Sequence, residues 1–167
     1  MLAGHILPVD CVAFLPNGSL LVSVSSDSVC IWNTNTWARE KIDYIHGAKE
    51  AEFSNDGGLI LIRDSQSWFQ RQDHYIDAST LKEVKKPWWR VSVGVTTFPA
   101  PRFPVSLSDD KRSLCLKKGG QTIHFCWFPD SFEASTEVGQ YKDTVCLGGR
   151  GGEVLSIDLA RFKVPHI

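Results

Sequence analysis

The sequence has almost no net charge, no long hydrophobic run and no recognisable targeting segment. Its 18 basic and 19 acidic residues leave a net charge of −1, so no overall field attracts nucleic acid or an anionic membrane surface. No apolar stretch approaches the roughly 20 residues of a membrane-spanning helix. The N-terminal MLAGHILPVDC lacks the basic start and the long apolar run of a secretory signal. These absences predict a cytoplasmic protein, with the nucleus as the alternative, and no membrane partner.

Sequence motifs for metals, disulfides and nucleotides are also absent. The five cysteines stand in apolar runs without a CxxC pair, and the five histidines have no zinc-binding spacing. We therefore interpret the cysteines as buried, reduced thiols. The glycine-rich GGRGG at 148–152 lacks the Lys-Ser/Thr of a phosphate-binding loop and precedes a strand, which favours a β-hairpin turn. The sequence predicts no cofactor and no metal.

Short runs rich in Val, Ile, Phe and Trp make up much of the chain. They include LLVSV (20–24), LILI (59–62) and TVCL (144–147), and turn formers such as PNG (16–18) and NDGG (55–58) separate them. No window of about 11 residues keeps the helical spacing of apolar residues. An all-β fold of short strands is therefore predicted.

Two short motifs recur along the chain. The first reads FLPNG, FSNDG and LSDDK at 14–18, 53–57 and 107–111. The second reads IWN, YID and SID at 31–33, 75–77 and 156–158. Such recurrence is typical of proteins built from structural repeats.

The first unit carries the fullest version of this pattern. Residues 4–33 read GHILPVDCVAFLPNGSLLVSVSSDSVCIWN, with a GH turn, a V-x-x-V-x-F strand, an L-x-S-x-S-like strand, an Asp and a final Trp. This stretch resembles a WD repeat, which forms one blade of a β-propeller. It departs from the family's pattern at Leu15, Asn17 and Asn33.

The resemblance implies a partial propeller of about three to four four-stranded antiparallel blades, in an open arc rather than a closed ring. A single domain over 1–167 would contain approximate repeats at 1–42, 43–86, 87–131 with an inserted loop, and 132–167 as a partial unit. No strand is expected ahead of the GH turn, so the first and last blades would leave apolar faces uncovered. Self-association through open blade edges is therefore expected.

The resemblance also implies a structural tetrad in the first blade. In the family, the Trp indole N–H donates to a strand hydroxyl, that hydroxyl meets the His of the GH turn, and the Asp holds the imidazole. The matching residues here are Trp32, Ser23, His5 and Asp27, with Ser25 as the alternative hydroxyl, although one residue fewer separates Asp27 from Trp32. Every member needs a partner because an unpaired buried donor costs about 1–3 kcal/mol.

Ser23, His5 and Asp27 also raise the alternative of a serine hydrolase. A nucleophilic serine needs an exposed hydroxyl beside an oxyanion hole, as in the G-x-S-x-G elbow. The chain has no such pentapeptide, and Ser23 stands in the middle of a strand-like run. We predict no catalytic residues and no enzymatic activity.

The segment KKPWWR (85–90) is the other candidate surface. Adjacent residues cannot both face one side of a strand, so one ring could stack on a base or anchor a partner protein. The alternative, which we favour, is that both rings fill gaps between blades. The candidate partner contacts are Lys85, Lys86, Trp88, Trp89 and Arg90.

The end of the chain carries a second resemblance. FCWFPDSF (125–132) followed by DTVCLGGRGGEVLSIDLARF (143–162) is similar to the closing segment of WD-repeat arrays in fungal signalling proteins that carry a NACHT-type NTPase. The chain has no GxxxxGK[ST], so this resemblance implies the recognition part of such a receptor. We expect a non-catalytic scaffold within a larger WD-repeat protein, binding other proteins or further blades. Nucleic-acid or other ligand binding through KKPWWR is the alternative.

Overall fold

The computed structural model describes residues 1–54, 56–64, 73–85, 105–118, 121–136 and 138–161. Its strands are β1 (Leu2–Ala3), β2 (Val9–Phe14), β3 (Leu20–Ser25), β4 (Val29–Asn33), β5 (Arg39–Asp43), β6 (Ala48–Phe53), β7 (Leu59–Asp64), β8 (Asp73–Asp77), β9 (Glu83–Val84), β10 (Ser106–Leu107), β11 (Ser113–Lys118), β12 (Gln121–Trp127), β13 (Gly139–Tyr141), β14 (Thr144–Gly148) and β15 (Glu153–Asp158). A short 3-10 helix, Leu159–Arg161, follows the last strand. Within these ranges no helix is long and apolar enough to cross a membrane.

These strands form four antiparallel sheets in which neighbours along the chain pair with one another. The first sheet contains β2 to β5, the second β6 to β9, and the third β10 to β12. The fourth contains β13 to β15, with β1 at its outer edge. Small up-and-down sheets of this kind are the blades of propellers. The predicted all-β fold of antiparallel blades is confirmed.

The first recurring motif forms the same turn in three sheets. Gly18, Gly57 and Lys111 each donate their backbone N–H to the carbonyl three residues earlier. All three have a positive φ, of 75°, 71° and 57°. Glycine adopts this left-handed conformation without steric cost, which explains why two of the three motifs end in glycine.

The second motif begins the turn that leads to the outer strand. Trp37 and Leu81 donate their N–H groups to the carbonyls of Asn33 and Asp77, again with positive φ, of 57° and 55°. The Oδ1 atoms of Asn33 and Asp77 accept further backbone N–H bonds within the turn. Hydrogen bonds, first from the Ser79 hydroxyl, lower the pKa of Asp77 to about 2. The motif therefore ends in Asn or Asp because the turn needs a side-chain acceptor.

The sheets pack face to face in the order second, first, fourth, third. Buried apolar residues of adjacent sheets share clusters; representative pairs are Ile31 with Ile60, Val9 with Cys146, and Val145 with Leu114. None of the clusters formed by the described residues joins the second sheet to the third. The predicted open arc is confirmed.

Strand β1 shows that two expectations are wrong. Leu2 pairs with Val154, so a strand precedes the GH turn and completes the fourth sheet. Its two residues are too short to give a periodic signal. The first and fourth sheets therefore pack against each other, and the second and third sheets form the ends of the arc. The packing is close, because a Cβ at Gly148 would lie 2.4 Å from Val9 Cγ1.

All five cysteines are free thiols. Cys30, Cys115 and Cys146 are buried, whereas Cys11 and Cys126 are partly buried. Burial raises the pKa of Cys146 to about 12 and that of Cys30 to about 11. The buried thiols act as small apolar side chains between the strands.

Candidate functional site

The four residues of the proposed tetrad meet at one end of the first sheet. Ser23 lies in β3, Trp32 in β4, His5 in the loop between β1 and β2, and Asp27 in the turn between β3 and β4. Ser23, Trp32 and His5 are buried, with exposed fractions of 0%, 3% and 8%. The first sheet thus encloses polar groups that each require a hydrogen-bond partner.

A continuous chain of hydrogen bonds connects these residues. Trp32 Nε1 donates to Ser23 Oγ at 2.9 Å, and Ser23 Oγ lies 2.7 Å from His5 Nε2. His5 Nδ1 lies 2.8 Å from Ser28 Oγ, which donates to Asp27 Oδ2 at 2.9 Å. An indole N–H only donates and a carboxylate only accepts. All four bonds therefore form together when Ser23 donates to Nε2 and a neutral imidazole donates from Nδ1.

Ser28, which is not part of the predicted tetrad, separates His5 from Asp27. The expected direct contact between Asp27 and the imidazole is therefore wrong. Ser25, the alternative partner for Trp32, instead donates to Asp27 Oδ1 at 2.6 Å. The reason is the short spacing before Trp32: Ser25 and Ser28 exchange backbone hydrogen bonds, which leaves Asp27 at the tip of a two-residue turn. The serines around Asp27 in SSDS (25–28) are the one sequence feature that indicates this indirect connection between His5 and Asp27 through Ser28.

The charge states of the two titratable groups follow from this environment. Burial lowers the pKa of His5 below its usual value, although the nearby Asp27 carboxylate opposes the shift and Arg39 adds to it. Burial alone would raise the pKa of Asp27, but hydrogen bonds from Ser25 and Ser28 lower it below its usual value. At neutral pH the network therefore holds a neutral His5 and an ionised Asp27.

Folding stability is expected to fall as the pH drops below the unfolded-state pKa of histidine, about 6.5. The folded pKa of His5 is lowered, so its contribution is complete above pH 6.5 and is lost towards the folded pKa. Protonation also places a hydrogen on Nε2, so the Ser23 hydroxyl loses the acceptor to which it donates. The loss of stability can reach about 1.4 kcal/mol per pH unit.

Urea unfolding between pH 7.5 and 5 measures this pH dependence of stability. His5→Gln should flatten the dependence. A flat profile for the wild type would contradict the assignment of a neutral His5.

Ser23, His5 and Asp27 do not form an accessible nucleophilic site. The Ser23 hydroxyl is fully buried and bonded to both Trp32 and His5. Two cavities, of about 500 and 300 Å³, open elsewhere in the described structure, and neither is lined by these three residues. Within the described ranges, no group of three or more His, Cys, Asp or Glu residues could hold a metal ion.

Two loops next to the tetrad carry exposed apolar side chains. Ile6 and Leu7, between β1 and β2, are 83% and 44% exposed, and Tyr44, between β5 and β6, is 70% exposed. Both loops connect the outer strand of one sheet with the inner strand of the next, so they lie at the same ends of the sheets. We call Ile6, Leu7 and Tyr44 the loop surface.

The turn at 26–27 holds both loops in place. Asp27 accepts the backbone N–H groups of Ile6 and Leu7 at 3.5 and 3.3 Å, and the Ser26 carbonyl accepts the N–H of Gly47. The tetrad is therefore connected directly to the backbone of the loop surface.

On the fourth sheet, GGRGG forms the predicted hairpin turn between β14 and β15, and the Gly152 carbonyl accepts the N–H of His5.

The KKPWWR candidate falls mostly outside the described residues. Lys85 is described and exposed. Lys86, Trp88, Trp89 and Arg90 lie outside the described ranges. A role for this segment stays a prediction.

Comparison with solved structures gives matches to WD40-repeat proteins and to a designed protein. The crystal structure of RRP9 WD40 repeats is 13% identical over 93% of this chain and 52% of that chain, with a TM-score of 0.45. The structure of U3-55K is 14% identical over 93% of this chain and 53% of that one, with a TM-score of 0.45. The computationally designed Ika4 protein is 13% identical over 95% of this chain and 96% of that chain, with a TM-score of 0.43. This chain spans about half of the first two chains. No family model and no curated protein matches the sequence.

Proposed function

We propose that this chain is a non-catalytic protein-interaction module, a WD-repeat-like propeller segment that presents loops to protein partners. The observation that carries the proposal is the loop surface: Ile6, Leu7 and Tyr44 are large, exposed apolar side chains on two supported loops at the same ends of the sheets. Exposed apolar surface on one face of a protein is a feature of interaction sites. Propellers bind in this manner because rigid blades carry loops that are free to vary.

The support beneath the loops makes such binding favourable. Hydrogen bonds that the loop N–H groups donate to Asp27 and to the Ser26 carbonyl fix the backbone of both loops before a partner arrives. A pre-organised surface loses less conformational entropy on binding. Tyr44 is also of a residue type that is enriched among the residues that dominate interface energies.

The alternatives have less support. A hydrolase needs an exposed serine, whereas Ser23 is fully buried, and nucleic-acid binding depends on residues of KKPWWR outside the described ranges. The free thiols favour a reducing compartment, in line with a cytoplasmic or nuclear scaffold. The resemblance of the closing segment to fungal receptor arrays supports a place in a larger WD-repeat protein.

Cross-linking of the purified chain in a cell extract, followed by mass spectrometry of cross-linked peptides, tests the proposal. We expect cross-links at the loop surface, and the double variant Ile6→Ser/Tyr44→Ser should weaken capture of the same proteins at least about tenfold. Val84→Ser is the matched control, because Val84 is an exposed apolar residue of β9, away from the loop surface. The melting temperatures should be unchanged. Equal capture by the loop variant and the wild type would contradict the proposal.

A further inference from the structure

A cavity of about 500 Å³ opens at the ends of the sheets opposite the loop surface. It lies where the third and fourth sheets meet β1 and the turn after β4. Its walls include Leu2, Trp37, Trp127, Phe128 and Ile157. Cavities of about 300–1,000 Å³ with mostly apolar walls and a few polar groups are typical ligand sites.

Two of the aromatic walls of this cavity contact neighbouring rings. Trp127 is 64% exposed and stacks on His124, with ring centroids 5.5 Å apart and planes 14° from parallel. Phe128 meets the edge of Phe132 at 5.5 Å and 81°. Rigid rings offer a large apolar contact at little cost in conformational entropy. The cavity is therefore already shaped for an apolar group.

One guanidinium group at the margin of the cavity has unused donors. Asp158 accepts the Ala160 N–H at 3.0 Å and Arg161 Nε at 3.2 Å, so this carboxylate already has partners. The Arg161 side chain is 85% exposed, and its two terminal Nη groups form no hydrogen bond with the described residues. Guanidinium donors match the geometry of a carboxylate.

We propose that this cavity binds a carboxylate attached to a large apolar group, such as the C-terminal end of a partner peptide. The apolar group enters between Trp127 and Ile157, and the carboxylate pairs with the Nη groups of Arg161. The site is separate from the loop surface, so it does not depend on the function proposed above.

Binding of three small probes tests this proposal by calorimetry and saturation-transfer NMR. The probes are N-acetyl-Phe-Phe with a free carboxylate, the same dipeptide as its C-terminal amide, and N-acetylphenylalanine. We expect the free dipeptide acid to bind at least about tenfold more tightly than the amide. Arg161→Gln should remove this preference. Arg150→Gln, a matched control at the opposite end of the sheets, should leave it unchanged.

Trp127→Ala should weaken the binding of both dipeptides. Because Trp127 is largely exposed, the variant should keep its fold, and circular dichroism checks this directly. Tighter binding of the dipeptide than of N-acetylphenylalanine identifies a peptide C-terminus as the ligand, whereas equal binding identifies a small acid. Equal binding of acid and amide, a preference that survives Arg161→Gln, or no binding of any probe would overturn the proposal.

Discussion

Replacing Trp32 by alanine is expected to lower the free energy of unfolding by about 3–5 kcal/mol, as large-to-small core substitutions do. Trp32 is 3% exposed and shares an apolar cluster with Val9, Phe14 and Leu21. Its indole N–H also begins the hydrogen-bonded chain through Ser23. The substitution therefore leaves a cavity and removes a donor from a buried hydroxyl, and both losses destabilise the folded state.

Two further variants separate packing from hydrogen bonding. Trp32→Phe keeps much of the apolar volume but lacks the N–H, so an intermediate loss of about 1–3 kcal/mol is expected. Trp127→Ala is the matched control, because Trp127 is 64% exposed and little stability should depend on it. Urea unfolding followed by circular dichroism measures all three. A loss below about 1 kcal/mol for Trp32→Ala would show that the assignment of Trp32 to the core of a blade is wrong.

Strands with consecutive apolar residues were predictable from the sequence. LLVSVS and VCIWN are almost entirely buried in β3 and β4, and strands covered on both faces need apolar residues at successive positions. The turns were predictable for a different reason. Positive φ and side-chain acceptors restrict the residue types at positions such as Gly57 and Asp77.

The remaining strands carry little local signal. AKEAEF in β6 has three charged residues out of six, and REKID in β5 has one apolar residue. These segments become strands because their neighbours in the sheet offer backbone partners, which composition does not show. β1 is the extreme case, because its two residues pair with Glu153 and Val154 at the other end of the chain.

The candidate site was predictable in its tetrad residues, but not in Ser28 or in its geometry. The GH turn and the final Trp identified His5 and Trp32 through the family resemblance. The place of Ser28 between His5 and Asp27 depends on how a two-residue turn orients its side chains. The exposure of the loop surface depends on which sheets meet, and the sequence alone placed the ends of the arc at the wrong sheets.

The isolated chain is expected to self-associate through the ends of the arc. The described third sheet ends in β12, whose sequence QTIHFCW has no charged residue. Uncharged edge strands favour pairing with another chain, and proteins usually protect such edges with Lys or Pro. The outer edge of the second sheet is less suited, because its strand β9 carries Glu83, which contacts His74 of β8. The third sheet should therefore dominate the association.

A charged residue on this edge is expected to suppress association. Thr122 is an exposed residue of β12, and Thr122→Lys adds a positive charge whose repulsion opposes pairing with a second copy. Asn35→Lys, in the exposed turn after β4, is the matched control because it adds the same charge away from the edge. Equal association of the two variants would show that β12 is not the contact.

Multi-angle light scattering of the purified chain tests most directly whether it is an open arc with uncovered ends. We expect a mass above the 18.7 kDa of one chain, a mass that rises with protein concentration, and binding of a dye that reports exposed apolar surface. Thr122→Lys should lower the mass towards that of one chain. A monodisperse 18.7 kDa species with a sharp, cooperative melt and no dye binding would contradict the open arc and indicate a small closed fold.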